Sequence, residues 1–279
     1  MKSIPTMMDM TWEEVDRLVK ENALVLMAVG IIEEHGPHLP LSTDLDLAMA
    51  QAEDVRQELE CMGRKSVIAP PFFWGGAQAL TRQFPGTFTS RAETIAECMY
   101  EILESLSRFG FRDVVLFNCH GDQLHRRGMV MAMERALETL EIHPWWPVYE
   151  DDLEWTGFSG EEPYLLLMPP YPGEKMFRCQ RPPRDSFDVH AGAYETAGMI
   201  EKYPEKVRRE KMEGLLPTCL HDEQIGKWVQ GEKQDRPLIP KGYCGDPAGA
   251  LWMESDMTTA DRVMARDIVS FLQKRNRME

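Results

Sequence analysis

The sequence has no apolar run of membrane-spanning length and no CxxC pair, and its charge is far from basic. Each absence excludes something. A transmembrane helix needs about 20 consecutive apolar residues, so no span is expected. The six cysteines (Cys61, Cys98, Cys119, Cys179, Cys219 and Cys244) are scattered along the chain. They read as reduced thiols of a cytoplasmic protein, not as a disulfide framework. A net charge of −15 argues against nucleic-acid and anionic-membrane partners, both of which require a basic face. Met1–Met10 carries one Lys and no adequate apolar core, so no signal peptide is expected. Internal repeats and low-complexity linkers are also missing.

What remains is an ordinary globular composition, 43% hydrophobic and 28% charged, in 279 residues. That length builds one large hydrophobic core or two small ones. The acidic stretches Glu93–Glu104 and Glu150–Glu154 read as solvated faces.

Helical and strand patterns alternate along the chain. Thr11 with Glu14 is a capping box opening a helix to about Glu21. Ala23–Ile31 is a continuous apolar run, as expected of a strand buried on both faces. Asp46–Met62 reads as a helix stopped by Gly63, and Ser66–Ala69 as a short strand. After the turn-rich Phe72–Thr89, Ser90 with Glu93 suggests a second capping box and a helix to Gly110. Asp113–Asn118 and His143–Tyr149 read as strands, with Gln123–Glu141 helical between them. Helices are expected again over His190–Lys202 and over Thr258–Arg275, the latter capped by Thr258. Before the first of these, Glu150–Val189 is rich in proline and lacks clear periodicity, the mark of a lid, binding loop or oligomer contact. The alternation predicts an α/β fold with a mostly parallel sheet. One domain over 1–279 is expected, with 150–189 as an irregular excursion.

Two polar clusters stand directly after buried strands. Glu33-Glu34-His35-Gly36-Pro37-His38 follows the first, and His120-Gly121-Asp122 follows Asp113–Asn118. In open parallel sheets, ligands sit beyond the carboxyl ends of strands, so both clusters are delivered to one edge. Glu33 and His35 are two apart and point to one side of an extended backbone. Asp44 follows a turn containing Pro37, Pro40 and Ser42. Imidazole with carboxylate suits Zn, Mn or Fe, and these groups hold one or two divalent ions. Either cluster alone is as well explained as a capped turn. Their convergence, together with Asp188, His190 and Glu195 further on, favours a metal site. His190 and Glu195, five apart, would not share one clean helix face.

These residues resemble the motifs of the creatininase (creatinine amidohydrolase) family. Gly30-Ile31-Ile32-Glu33-Glu34-His35-Gly36-Pro37-His38-Leu39-Pro40-Leu41-Ser42-Thr43-Asp44 is similar to its first motif, GxxEQHGPHLPLxTD. Phe84-Pro85-Gly86-Thr87, Asn118-Cys119-His120-Gly121-Asp122-Gln123, His190-Ala191-Gly192 with Glu195-Thr196, and Gly245-Asp246-Pro247 follow in the family's order. The resemblance implies a three-layer α/β sandwich with helices on both faces of the sheet, often assembled as a hexamer. It implies two metal ions, one held by Glu33, Asp44 and His120. The other would be held by His35, Asp44 as bridge, and either Asp122 or Glu195. It implies that His190 transfers a proton in the attack of metal-activated water on a carbonyl; beyond the resemblance, Glu34, Asp122 or Glu195 is expected to assist, Glu34 being the second catalytic candidate.

The departures bear on the substrate. Glu34 stands for the usual Gln, and Cys119, for the usual Gly, reads as a buried thiol. Trp74 to Ala77, with Arg82 nearby, replace a serine-containing substrate loop, and Gly121 stands where creatininase has a substrate-contacting Tyr. Trp74, Ala77, Arg82 and Gly121 are therefore the substrate-binding candidates. His38 reads as a support for the ligands, His125 and His143 as packing residues, and Trp145, Trp146, Trp155 and Phe158 more as core than as pocket. The expected substrate is a small cyclic amide or related carbonyl compound. The alternatives are ring-opening C–C hydrolysis of an oxidised inositol, deformylation of a formamide, a peptide substrate, and a metal-binding interaction subunit without catalysis.

Overall fold

The computed structural model describes residues 6–275. Five parallel strands form the central sheet, in the order β2-β1-β3-β4-β5. They are β1 (Leu24–Val29), β2 (Ser66–Ile68), β3 (Asp113–Asn118), β4 (His143–Tyr149) and β5 (Leu165–Met168). All of β1 is buried because both sheet faces are covered. Its alternation divides the core in two. Val25, Met27 and Val29 face one layer with Ile95, Met99, Met129 and Met133, while Leu24 and Leu26 face the other with Val55, Leu59 and Ile268.

Helices α1 (Trp12–Lys20), α3 (Ala92–Phe109) and α4 (Gln123–Thr139) pack on the first face. Helix α2 (Thr43–Cys61) and the Met257–Arg275 helix pack on the second. This is the three-layer α/β sandwich expected. Among the described residues, no helix is long and apolar enough to cross a membrane.

The local differences have physical causes. Helix α2 starts at Thr43, three residues before the expected start, so Asp44 sits in its first turn and not in the preceding loop. Helix α3 is capped at Arg91, whose side chain has no acceptor, and Ser90 donates its N–H to Gly75 O, so it is not free to receive Glu93 in a capping box. The helix expected over His190–Lys202 begins at Ala193, so His190 precedes it, bridged to Cys244. Glu201 accepts from Met257 N–H and Thr258 N–H, so a carboxylate from another helix does what Thr258 was expected to do. The 150–189 stretch is not wholly irregular, since it supplies β5 at the sheet edge and Phe177–Cys179, which pairs antiparallel with Met253–Ser255. Four residues, Leu165 to Met168, are too few to show a period.

Candidate metal centre

The cluster is built at the carboxyl edge of β1 and β3. After β1, Glu33 N–H donates to Leu41 O and Glu34 N–H to Thr87 Oγ1, which holds the segment extended. After β3, the Asn118 side chain brackets His120: Nδ2 donates to His120 O at 2.8 Å and Oδ1 accepts from His120 N–H at 3.3 Å.

Three sets of ligand-type atoms result among the described residues, Glu33/Asp44/His120, His35/Asp44/Glu195 and Glu33/His35/His190, and Asp44 belongs to the first two. His120 Nδ1 lies 3.2 Å from Glu33 Oε2 and 3.1 Å from Asp44 Oδ2. His35 Nε2 lies 3.1 Å from Asp44 Oδ1 and 3.8 Å from Glu195 Oε2. The two oxygens of Asp44 thus serve different histidines. Ligand atoms each about 2.1 Å from one cation stand roughly 3–3.5 Å apart, close to the separations here.

The ring nitrogens are oriented by the backbone. His35 Nδ1–H donates to Glu33 O at 3.0 Å, leaving Nε2 toward Asp44. His120 Nε2–H donates to Gly76 O at 3.0 Å, leaving Nδ1 toward Glu33 and Asp44. A carbonyl behind each imidazole is how metal-ligating histidines are usually held. Glu33 Oε2 and Asp44 Oδ2 are buried without a hydrogen-bond donor, a costly state that a cation between them would relieve. The residues therefore fit divalent metal.

The electrostatics describe the same demand. Burial raises the Glu33 carboxyl, against the pull of His120. Burial also opposes ionisation of Asp44, but His35 and His120 outweigh it and hold the carboxyl far below the usual range. Burial disfavours charge on both histidines, yet Asp44 beside His35, and Glu33 then Asp44 beside His120, push each ring up to about 10. Positive charge is required among these carboxylates.

Around the cluster, His190 Nε2–H donates to Glu34 O at 2.8 Å, and its ring lies 4.3 Å from that of His35. Burial, then His35, depress its pKa well below the usual value, so it stays neutral at pH 7. Glu34 is pushed up to about 8, chiefly by burial and in spite of Gly36 N–H, which donates to it. Glu195 is raised to about 7 by burial, partly offset by His35. Burial and then Asp44 raise the Cys119 thiol, which stays protonated.

Asp122 is occupied elsewhere. Its carboxylate accepts from Leu124 N–H as the N-cap of α4, and from Gln78 N–H and Ala79 N–H. The convergent sets include Glu195 and not Asp122. His38 and Thr196 are hydrogen-bonded at 2.9 Å beneath the site. His125 accepts from Gly76 N–H and donates to Asn118 Oδ1, so it supports the His120 loop.

A cavity of about 500 Å³ opens over the cluster, bordered by Gly121, Gln123, Arg126, Asp188, Trp228 and Val229 besides the cluster itself. Of the four substrate-binding candidates, Gly121 borders it. Ala77 is buried with its N–H donated to Thr89 Oγ1, and Arg82 Nε donates to Gly231 O. Trp74 is exposed beside Phe88. Trp228 and Val229 were not foreseen. They belong to the Asp222–Gln230 helix, outside every motif, and a lone Trp-Val pair carries no signal. Trp145 and Trp146 are buried, Trp146 at the edge of a neighbouring cavity, and the side chain of Trp155 lies outside the described ones.

Fold and site together define an α/β protein with a cluster of carboxylate and imidazole groups fit to hold metal at the carboxyl edge of a parallel sheet. The family model described as "Creatinine amidohydrolase" matches residues 8–255, so the chain belongs to the creatininase family. It is 34% identical over 113 residues to a mycofactocin precursor peptide peptidase of Mycolicibacterium smegmatis, covering 40% of this chain and 45% of that one. It is 22% identical over 247 residues to a 3-dehydro-scyllo-inosose hydrolase of Thermotoga maritima, covering 85% and 68%. The solved structure described as "Creatininase Mn" superposes with a TM-score of 0.66 at 17% identity, over 96% of each chain.

Proposed function

We propose that this chain is a hydrolase that uses two divalent cations, Zn, Mn or Fe, and water to cleave an amide or related carbonyl substrate. The sharing of Asp44 between two complete ligand sets carries this reading. Glu33, Asp44 and His120 would hold one ion, and His35, Asp44 and Glu195 the other. Bound there, the cations supply an acidified water and a Lewis acid for the developing oxyanion.

The chain's own groups do the rest. The backbone carbonyls of Glu33 and Gly76 aim the two imidazoles. His190, neutral and fixed through Nε2–H, is the proton carrier toward the leaving group. Glu34, with Oε1 3.7 Å from His190 Nε2 and still protonated at pH 7, is the second proton source. Asp122 is proposed as the support of the His120 loop rather than a ligand.

The motifs favour a small cyclic amide as the reacting unit. The Mycolicibacterium and Thermotoga relatives keep peptide cleavage and ring opening beside it as second readings. We further propose that 1–279 acts as one unit, with 150–189 as a lid. Asp188 and Val189 at its end border the cavity. The unpaired thiols suit a cytoplasmic protein. Exposed Leu41, Trp74 and Phe88 suit a homo-oligomer contact, for which the family resemblance suggests a hexamer.

Metal analysis of the purified protein, followed by a hydrolysis screen in H₂¹⁸O, tests the reading. The expected outcome is about two ions per chain and ¹⁸O in the product. Asp44→Ala should lose both ions and all turnover. A metal-free protein, with Glu33→Gln unchanged in every assay, would overturn the hydrolase in favour of an interaction subunit.

A further inference from the structure

A second cavity, of about 280 Å³, adjoins the first. The two share Cys119, His120, Gly121 and Arg126, so they meet at the loop that carries a proposed metal ligand. The second lies in the crevice where β3 and β4 end. Its own walls combine apolar and aromatic side chains, Phe117, Trp146, Val148, Tyr149 and Met264, with polar Gln51 and Asn118, and Thr156 forms a further wall. Acidic ligand-type residues crowd the first cavity, whereas the second has one carboxylate, Asp152. Gly121 presents no side chain at the junction and is exposed there. Arg126 forms the other side, fixed by Nη1 donating to Thr156 O at 2.8 Å.

We infer that the substrate has two parts: a reacting carbonyl over the metal cluster and a flat apolar arm seated in the β3–β4 crevice. The inference rests on the metal-site reading and deepens it. A bare small ring would fill only the first cavity and leave apolar walls in contact with water, at a loss of binding free energy. An arm of phenyl size, joined by a short flexible link past Gly121, removes those walls from water. The substrate class is therefore an amide, cyclic or open, with an aryl or branched alkyl substituent.

Binding of two hydroxamates to the Mn²⁺-loaded protein, measured by calorimetry, tests this. Acetohydroxamate reaches the metal cluster alone, and 3-phenylpropionohydroxamate reaches the crevice as well. The longer probe should bind roughly tenfold tighter or better, the least gain expected from burying a phenyl ring. Thr156→Trp, which fills the crevice from its outer wall, should abolish that advantage and leave acetohydroxamate unchanged. Tyr149→Ala, which widens the crevice, should reduce the advantage without removing it. Equal affinity of the two probes for the wild-type protein overturns the inference, as does an advantage that survives Thr156→Trp. Failure of acetohydroxamate itself to bind would instead overturn the metal site, which separates the two claims. Acetohydroxamate binding also reports that each variant is folded and loaded.

Discussion

At the residue scale, the division of labour among the acids is the main result. Glu33, Asp44 and Glu195 converge on histidine nitrogens, while Asp122, equally acidic and next but one to His120, spends its oxygens on three backbone N–H groups. A carboxylate so saturated is a poor ligand and a good cap. Asp122→Ala is therefore expected to cost about 1–2 kcal/mol, lowering Tm by a few degrees, with metal content unchanged. Glu195→Gln should do the reverse, with little change in Tm of the metal-free protein and about half the metal lost. Thermal scans with elemental analysis check both; metal loss in Asp122→Ala at normal Tm would exchange the roles. The motif positions of both acids were legible in the sequence, but their choice was not. Which oxygens are already occupied depends on Gln78 and Ala79, more than forty positions away in the chain.

At the element scale, two features outside the cluster position it. The Asp222–Gln230 helix brings Trp228 over His190, with ring centroids 6.3 Å apart, and ends at Gly231 with φ of +69°. A Cβ at Gly231 would collide with Gln78 O, and Gly231 O itself accepts from Arg82 and Gln83. Gly231→Ala therefore combines a left-handed backbone with a backbone clash, a cost of roughly 1–3 kcal/mol. The expected outcome is faster amide exchange confined to 222–230 and weaker substrate binding; uniform protection would refute it.

The second feature is the polar seam joining α2, the Ala193–Lys202 helix and the Met257–Arg275 helix. Lys202 is paired there with Asp54 and Glu201, and Gln51 donates to Asp261. Burial raises Asp261 to about 7, against Lys202 and Gln51. Its folded pKa exceeds the unfolded value of about 3.9, so the native state holds a proton that the unfolded chain has released. Stability from this group is complete below about pH 4 and is lost as pH rises toward 7. Asp261→Asn should remove that slope and be more stable than wild type at pH 8, by on the order of 3 kcal/mol. Urea unfolding at pH 5 and pH 8 measures it, and parallel curves for the two proteins would exclude the effect.

At the scale of the whole molecule, the sheet places the cluster and leaves one apolar surface unexplained within a single chain. Trp74 and Phe88, rings 6.1 Å apart, are half exposed, and Leu41 lies against the nearby Gly86. The homo-oligomer contact proposed above would bury this exposed aromatic pair. Trp74→Glu with Phe88→Glu should shift the protein toward smaller species in sedimentation velocity while each chain keeps its metal; an unchanged mass would exclude this surface. The strand–helix alternation, the buried runs of β1 and β3 and the motif order were all readable from the chain. Periodicity and ligand chemistry are local properties, and a continuous apolar run followed by Glu33-Glu34-His35 specifies a buried strand and a polar loop by itself. Tertiary structure alone decided that Asp44 opens a helix, that Glu195 rather than Asp122 joins the cluster, and that Trp228 covers it. Those outcomes rest on burial and on which donors are already spent, and both are set by neighbours remote in sequence.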